Sequence, residues 1–355
     1  MVYVDFIIFV ASLFLLLKGS DYLVESAAKL AKAFSISEFA VGLSLVAIGT
    51  SLPELATAMA AILAKDTNII IGNLIGSNIA NMGFILGIAA IFATLTIDKK
   101  IFYKEGIFLL VMSILVLIFS LDGTIGLIDG LVLLFFFLVF IINLIRGGEE
   151  EKAGYEKYLG YFYSIKKLFA LEAYQTILKK RKKINQNHFK EAINQGLKRE
   201  GKITAKQAFF YMLISIVSIG AIVLSARYLV ESSINIASFF NISSTFIGLT
   251  MISLGTTLPE LTVTIIAIKK GYGNILMGNL IGSNIVNLLL ILGISSLLTP
   301  IAISRLEIFY TIPFMIILTL FLLKFIRSSP FVKIFEGIIL LLLYLIFIFS
   351  LVFFL

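Results

Sequence analysis

Long, uninterrupted apolar runs dominate this sequence and leave it few folds to choose from; residues 131–145, LVLLFFFLVFIINLI, are typical. Lipid offers no partner for a backbone N–H or C=O, so a crossing chain must satisfy both internally, as helices or as a closed barrel. A barrel would show short segments of alternating polarity, whereas these runs are continuous. A spanning helix takes roughly 20 apolar residues. Such runs fall at about 2–33, 38–62, 68–94, 102–121, 125–146, 206–236, 244–268, 274–298, 306–326 and 331–354. Only 14% of the 355 residues are charged and 59% are hydrophobic, against about 25% charged in soluble domains. The expected fold is an all-α polytopic membrane protein with ten transmembrane helices. The opening MVYVDFIIFVASLFLLLKGSDYL has no basic leader and no small-residue cleavage site, so it reads as the first span.

One long polar stretch interrupts the pattern, at 147–205. It holds thirteen Lys or Arg against seven Asp or Glu, a surplus of six in a chain of net charge +8. Basic loops stay on the cytoplasmic side. This loop is therefore expected in the cytoplasm of a cell-membrane protein, and ten spans then put both termini outside. The other loops assigned to the inside carry Lys99, Lys100, Lys269, Lys270, Arg327 and Lys333, with Lys65 and Arg305 as outer exceptions. Within the loop, YEKYLGYFYSIKKLF mixes aromatic and basic residues as an interfacial helix does, and KKRKK can attract anionic headgroups. A plain topology-setting linker is the simpler reading.

The chain repeats itself. YLVES begins at Tyr22 and Tyr228, GTSLPE at Gly49 answers GTTLPE at Gly255, and GNLIGSN begins at Gly72 and Gly278, always 206 residues apart. ILG at 85–87 recurs at 291–293 in the same register. The sequence thus divides into a first half, 1–146, the loop 147–205, and a second half, 206–355. Five spans per half is an odd number, so the second half is expected to be inverted relative to the first. Inverted repeats with helices broken at matching positions point to a binding site near mid-membrane.

Both motifs supply oxygen. Ala47, Thr50, Ser51 and Glu54 are spaced i, i+3, i+4 and i+7 and share one helix face. Pro53 has no N–H, so the carbonyl of Gly49 loses its partner and the turn kinks. The neighbouring carbonyl of Thr50 can then turn toward a cavity. Ser253, Thr256, Thr257, Pro259 and Glu260 repeat the arrangement. On the third run of each half, Ser77 with Asn81 and Ser283 with Asn287 are i, i+4 pairs, beside glycines that let helices pack closely. Glu54, Glu260, Asn81 and Asn287 would together form a diamond lined only by oxygen. Calcium, sodium and magnesium take such ligands, and calcium's flexible shell suits unwound backbone; zinc and copper want nitrogen or sulfur. One kinked helix with one hydrogen-bonded acid would be a structural feature. A carboxylate at the bilayer centre costs about 2.5–3.5 kcal/mol, and this chain places two at repeat-related positions, which argues for function. Asp21, Glu25, Arg227 and Glu231 lie near the ends of long helices and read as snorkelling charges.

On the paired GTSLPE and GTTLPE, each followed by GNLIGSN, the sequence resembles the calcium/cation antiporter superfamily, in its prokaryotic-type sodium/calcium exchanger branch. The resemblance covers both halves and omits only 147–205. It implies ten helices, a central calcium site flanked by sodium sites, and exchange by alternating access. Carried onto this chain, Glu54 and Glu260 would be the calcium carboxylates, shared with sodium, and the carbonyls of Thr50 and Thr256 would complete the shell. Ser51, Ser77, Thr257 and Ser283, with the carbonyls of Ala47 and Ser253, would line the sodium sites. Asn81 and Asn287 would close the middle. Proton-coupled members usually carry a Gly-Asn…Glu pattern instead, which favours sodium coupling here. Asn287 stands where potassium-dependent relatives have aspartate, which argues against potassium transport; Ser253 and Thr257 replace the more usual alanine and serine.

Charge then sets a mechanism. One calcium neutralises two ionised glutamates, and three sodium ions leave one net positive charge; either beats two bare negative charges in a low dielectric. An empty carrier is expected to stay put while loaded forms reorient, giving electrogenic exchange. The alternative is a sodium- or proton-coupled exchanger of another divalent cation. A channel is disfavoured, because the site lies between two halves of one chain rather than on an oligomer axis. An enzyme is disfavoured too: there is no cysteine, the single histidine, His188, is in the polar loop, and no nucleophile–base pair adjoins the glutamates. The expected partners are calcium and sodium as transported ions and the lipid bilayer, with no cofactor and no nucleic acid. The site is complete in one chain, so a monomer is expected to function.

Overall fold

A computed structural model describes residues 2–34, 36–65, 67–92, 95–96, 99–146, 204–239, 253–328 and 331–354. The interfacial helix and basic run expected within 147–205 lie outside the described residues, as does His188. Among the described residues, eight helices are long and apolar enough to cross a membrane. They fall on eight of the ten expected runs. Of the other two, the run at about 102–121 is helical, and the run at about 244–268 is described only from Ser253 onward.

The first half contains α1 (Val2–Phe34), α2 (Glu38–Val41), α3 (Ala47–Thr50), α4 (Leu52–Ala64), α5 (Asn68–Ala80), α6 (Leu86–Phe92), α7 (Lys99–Ser120) and α8 (Leu127–Arg146). The second contains α9 (Ala205–Phe239), α10 (Ser253–Thr256), α11 (Leu258–Lys269), α12 (Gly273–Ile285), α13 (Leu292–Leu298), α14 (Ile312–Ser328) and α15 (Ile334–Phe354). Widened π turns at Gly42–Val46, Asn81–Ile85 and Val286–Ile291 join α2 to α3, α5 to α6 and α12 to α13. Such turns concentrate at functional positions, and two of these three contain Asn81 and Asn287.

The longest helices, α1 and α9, have 33 and 35 residues. At about 1.5 Å per residue each exceeds the roughly 30 Å of hydrocarbon. They pack antiparallel: Asn235 Nδ2 donates to Asp5 Oδ1 at 2.9 Å, the Ser26 and Ser215 hydroxyls meet at 2.7 Å, and Lys29 Nζ lies 4.9 Å from the Tyr211 ring centre. The 206-residue offset turns position 5 into 211 and 29 into 235, so the two end contacts are images of each other. The helices touch closely at Gly19, where a methyl group would sit 2.9 Å from Ile222 Cγ1.

Helix α1 also reaches the element that carries Glu260. The Ser20 hydroxyl donates to Thr262 Oγ1 on α11 at 2.9 Å, and Lys270, just past α11, pairs with Asp21 at 2.8 Å and Glu25 at 3.3 Å. Asp21 and Glu25 are therefore tied across helices, rather than simply snorkelling as the sequence led us to expect. Their repeat equivalents, Arg227 and Glu231, pair along α9 at 2.8 Å on an exposed face, where an ion pair is worth little.

Helix α12 occupies the heart of the molecule, with every residue from Ile275 to Ile285 buried. Its glycines make the fit possible. A methyl on Gly282 would lie 2.6 Å from both Ala47 Cβ and the Leu43 carbonyl, and one on Gly278 would run into the Phe39 carbonyl. Two short strand pairings stitch the halves together. β1 (Leu95–Thr96) pairs antiparallel with β4 (Phe331–Val332), with Leu95 opposite Val332; β2 (Thr124–Ile125) pairs with β3 (Ile301–Ala302), with Ile125 opposite Ile301.

Candidate cation-binding site

The two motif helices break where the prolines require. Helix α3 ends at Thr50, Ser51 takes φ −84°, ψ 6°, and α4 restarts at Leu52 with Pro53 in its first turn. In the second half Thr257 takes φ −91°, ψ 0°, and α11 starts at Leu258 with Pro259 in the same place. Glu54 and Glu260 thus sit in the first turns of α4 and α11, where unpaired N–H groups and the helix dipole favour an anion.

Both acids are sealed from solvent, Glu54 at 0% and Glu260 at 1% exposure. They lie within electrostatic reach of each other. The Ser77 hydroxyl donates to Glu54 Oε1 at 3.3 Å. Glu54 Oε2 and both oxygens of Glu260 have no hydrogen-bond partner among the described residues, although the Thr50 and Ser283 side chains flank Glu260. Among those residues no lysine or arginine pairs with either acid. Buried charge without a partner costs several kcal/mol, so each acid is expected to hold either a proton or a share of a bound cation. Among the described residues no group of three or more His, Cys, Asp or Glu side chains is placed to hold a metal ion. A cation here would therefore meet two carboxylates and otherwise neutral oxygen.

Neutral oxygens surround the acids in repeat-related pairs. Thr50 Oγ1 donates to Asn279 Oδ1 at 3.1 Å and meets Ser283 Oγ at 3.3 Å. Its counterpart Thr256 donates to Asn73 Oδ1 at 3.3 Å. In the middle, Asn81 Nδ2 donates to Asn284 Oδ1 at 3.1 Å, and Asn287 Nδ2 donates to Asn78 Oδ1 at 3.0 Å. Among the described residues the Oδ1 atoms of Asn81 and Asn287 stay buried and unpartnered, as does Ser51 Oγ.

Most of the expected residues are accordingly brought together: Glu54 with Ser77, Thr50 with Ser283 beside Glu260, and Asn81 and Asn287 through one asparagine each. Thr257 is buried. The Ala47 carbonyl accepts the Ser51 N–H at 3.0 Å and the Thr50 hydroxyl at 3.4 Å, so it remains within the helix ladder. Ser253 opens α10, and its side chain lies outside the described residues. Sequence reasoning missed Asn73, Asn78, Asn279 and Asn284. A signal for the first and third existed: Asn73, Ser77 and Asn81 are successive i, i+4 neighbours, as are Asn279, Ser283 and Asn287.

Fold and site define an all-helical polytopic membrane protein with paired buried carboxylates at breaks in repeat-related helices. The chain belongs to the sodium/calcium exchanger protein family, whose model matches residues 4–146 and 210–353. It is similar to the sodium/calcium exchanger MaX1 of Methanosarcina acetivorans, with 37% identity over 346 residues, 97% of each chain. The inner membrane protein YrbG of Escherichia coli is 30% identical over 294 residues, 82% of this chain and 79% of that one. Among solved structures, the sodium-calcium exchanger NCX_Mj soaked with sodium and strontium superposes with a TM-score of 0.77 at 28% identity, covering 99% of both chains. MaX1 and NCX_Mj are exchangers, transporters rather than enzymes.

Proposed function

We propose that this protein exchanges sodium for calcium across the cell membrane by alternating access. The observation that carries the reading is the pair of buried acids, flanked by hydroxyls and with no lysine or arginine partner among the described residues. Calcium would be held by Glu54 and Glu260 with the carbonyls of Thr50 and Thr256. Sodium would use the same acids together with Ser51, Ser77, Thr257, Ser283 and the carbonyls of Ala47 and Ser253. The free Oδ1 atoms of Asn81 and Asn287 would line the middle. The antiparallel packing of α1 on α9 supports an inverted arrangement of halves 1–146 and 206–355, five spans each. The basic loop 147–205 would then face the cytoplasm, with both termini outside, and one chain suffices for transport. With three sodium ions per calcium, each cycle moves one charge, worth about 2.3 kcal/mol per 100 mV. Neutral Asn287 keeps the site at two acids, which supports potassium independence.

The test is flux into vesicles. Sodium-loaded vesicles carrying the purified protein are expected to take up radioactive calcium only while an outward sodium gradient exists, and faster at inside-positive potential. Equal uptake with lithium or potassium inside would remove sodium coupling. Glu54→Gln and Glu260→Gln are each expected to abolish exchange in a protein that still elutes as a monodisperse species. Near-normal exchange in either variant would reduce that acid to a structural role.

A further inference from the structure

We propose that Asn78, with Asn284 as its counterpart, is a positioning residue that turns the oxygen of Asn287, and not its nitrogen, toward the cation. The inference rests on the reading that Asn81 and Asn287 line the cation cavity. A side-chain amide carries one acceptor oxygen and one donor NH2 at equal reach, and only the oxygen attracts a cation. Something has to choose between them.

The choice starts from a backbone carbonyl. Asn78 Nδ2 donates to the Asn284 carbonyl at 3.2 Å, and it lies 3.7 Å from Met315 Sδ. A carbonyl and a thioether can only accept, so Asn78 must present its nitrogen there, which leaves its Oδ1 facing Asn287. Asn287 answers by donating Nδ2 to that oxygen at 3.0 Å, and its own Oδ1 is left buried without a partner among the described residues. The mirror step turns Asn81: its Nδ2 donates to Asn284 Oδ1 at 3.1 Å, and its Oδ1 meets no partner among the described residues. All four asparagines are at most 1% exposed, so bulk water does not compete for these groups. The two copies are unequal. Asn284 Nδ2 has no partner among the described residues, whereas Asn78 is anchored, which makes Asn78 the residue that sets the orientation.

The experiment is equilibrium binding of radioactive calcium to the purified full chain, comparing the unaltered protein with N78A, N287D and the double variant. Partners behind a ligand typically contribute 10- to 100-fold in metal affinity, so N78A is expected to raise the half-saturating calcium concentration by about that factor, with maximal binding unchanged. An aspartate at 287 presents oxygen in either orientation and, when Asn78 is intact, meets its Oδ1 oxygen to oxygen. N287D is therefore expected to improve binding more in the N78A background than in the unaltered chain. Equal effects in both backgrounds would mean that Asn78 merely packs. Should N78A fail to fold, N284A, which strips the acceptor from Asn81, is expected to weaken binding in the same way. Unchanged half-saturation in the folded variant overturns the positioning role. If the unaltered chain binds no calcium, the cation reading of the cavity falls, and this inference falls with it.

Discussion

Ser51 separates what a residue does for stability from what it does for ions. Its hydroxyl is buried with no partner among the described residues, and such an orphan costs about 1–3 kcal/mol. Ser51→Ala is therefore expected to leave the thermal midpoint in ion-free buffer unchanged or raised. In the flux assay the sodium concentration for half-maximal exchange is expected to rise. A midpoint that falls by several degrees would mark the hydroxyl as a structural group. The two acids were legible in the sequence, because a carboxylate beside a proline inside an apolar run has little structural reason to exist. The asparagines were only half legible. Each GNLIGSN stretch, read on by three residues, offers three of them, Asn73, Asn78 and Asn81 in the first. Which one faces the cavity and which one braces its neighbour depends on how α5 and α12 are rotated against each other, and spacing along one helix does not contain that angle.

At the level of elements, close approach between helices decides which glycines tolerate change. Gly282 on α12 has Ala47 Cβ and the Leu43 carbonyl waiting 2.6 Å from any added methyl, whereas a methyl on Gly220 of α9 would meet nothing within 4 Å. Overpacking a filled interior costs typically about 1–3 kcal/mol, while alanine gains up to about 1 kcal/mol over glycine in an open helix. Gly282→Ala is thus expected to lower the thermal midpoint and Gly220→Ala to hold or raise it; the reverse order in parallel melts would refute the packing described for α12. Helices were readable because lipid leaves the backbone no alternative, and the breaks at Ser51 and Thr257 because proline removes a donor. The π turns and the four two-residue strands were not. The former depend on how neighbouring helices seat, and the latter on chain segments distant in sequence meeting between the halves.

For the whole molecule, α1 and α9 form an antiparallel pair, and α1 is tied to α11 through Ser20 and Thr262 and through Lys270. If this pair slides during transport, holding α1 to α11 should stop it. The chain has no cysteine, so a Ser20→Cys, Thr262→Cys pair can be oxidised without competing bonds. Oxidation is expected to abolish sodium-driven calcium uptake and reductant to restore it; full exchange in the oxidised state would show that these helices stay together throughout the cycle. The enclosure of α12 from Ile275 to Ile285 has another outcome, one for biogenesis. This helix carries Asn279, Ser283 and Asn284 among its leucines and isoleucines, polar groups that lipid would not satisfy. Translation makes the surface that receives it first, since Phe39, Leu43 and Ala47 are already synthesised when α12 emerges. The amino-terminal half is therefore available as a mould when the carboxy-terminal half is made.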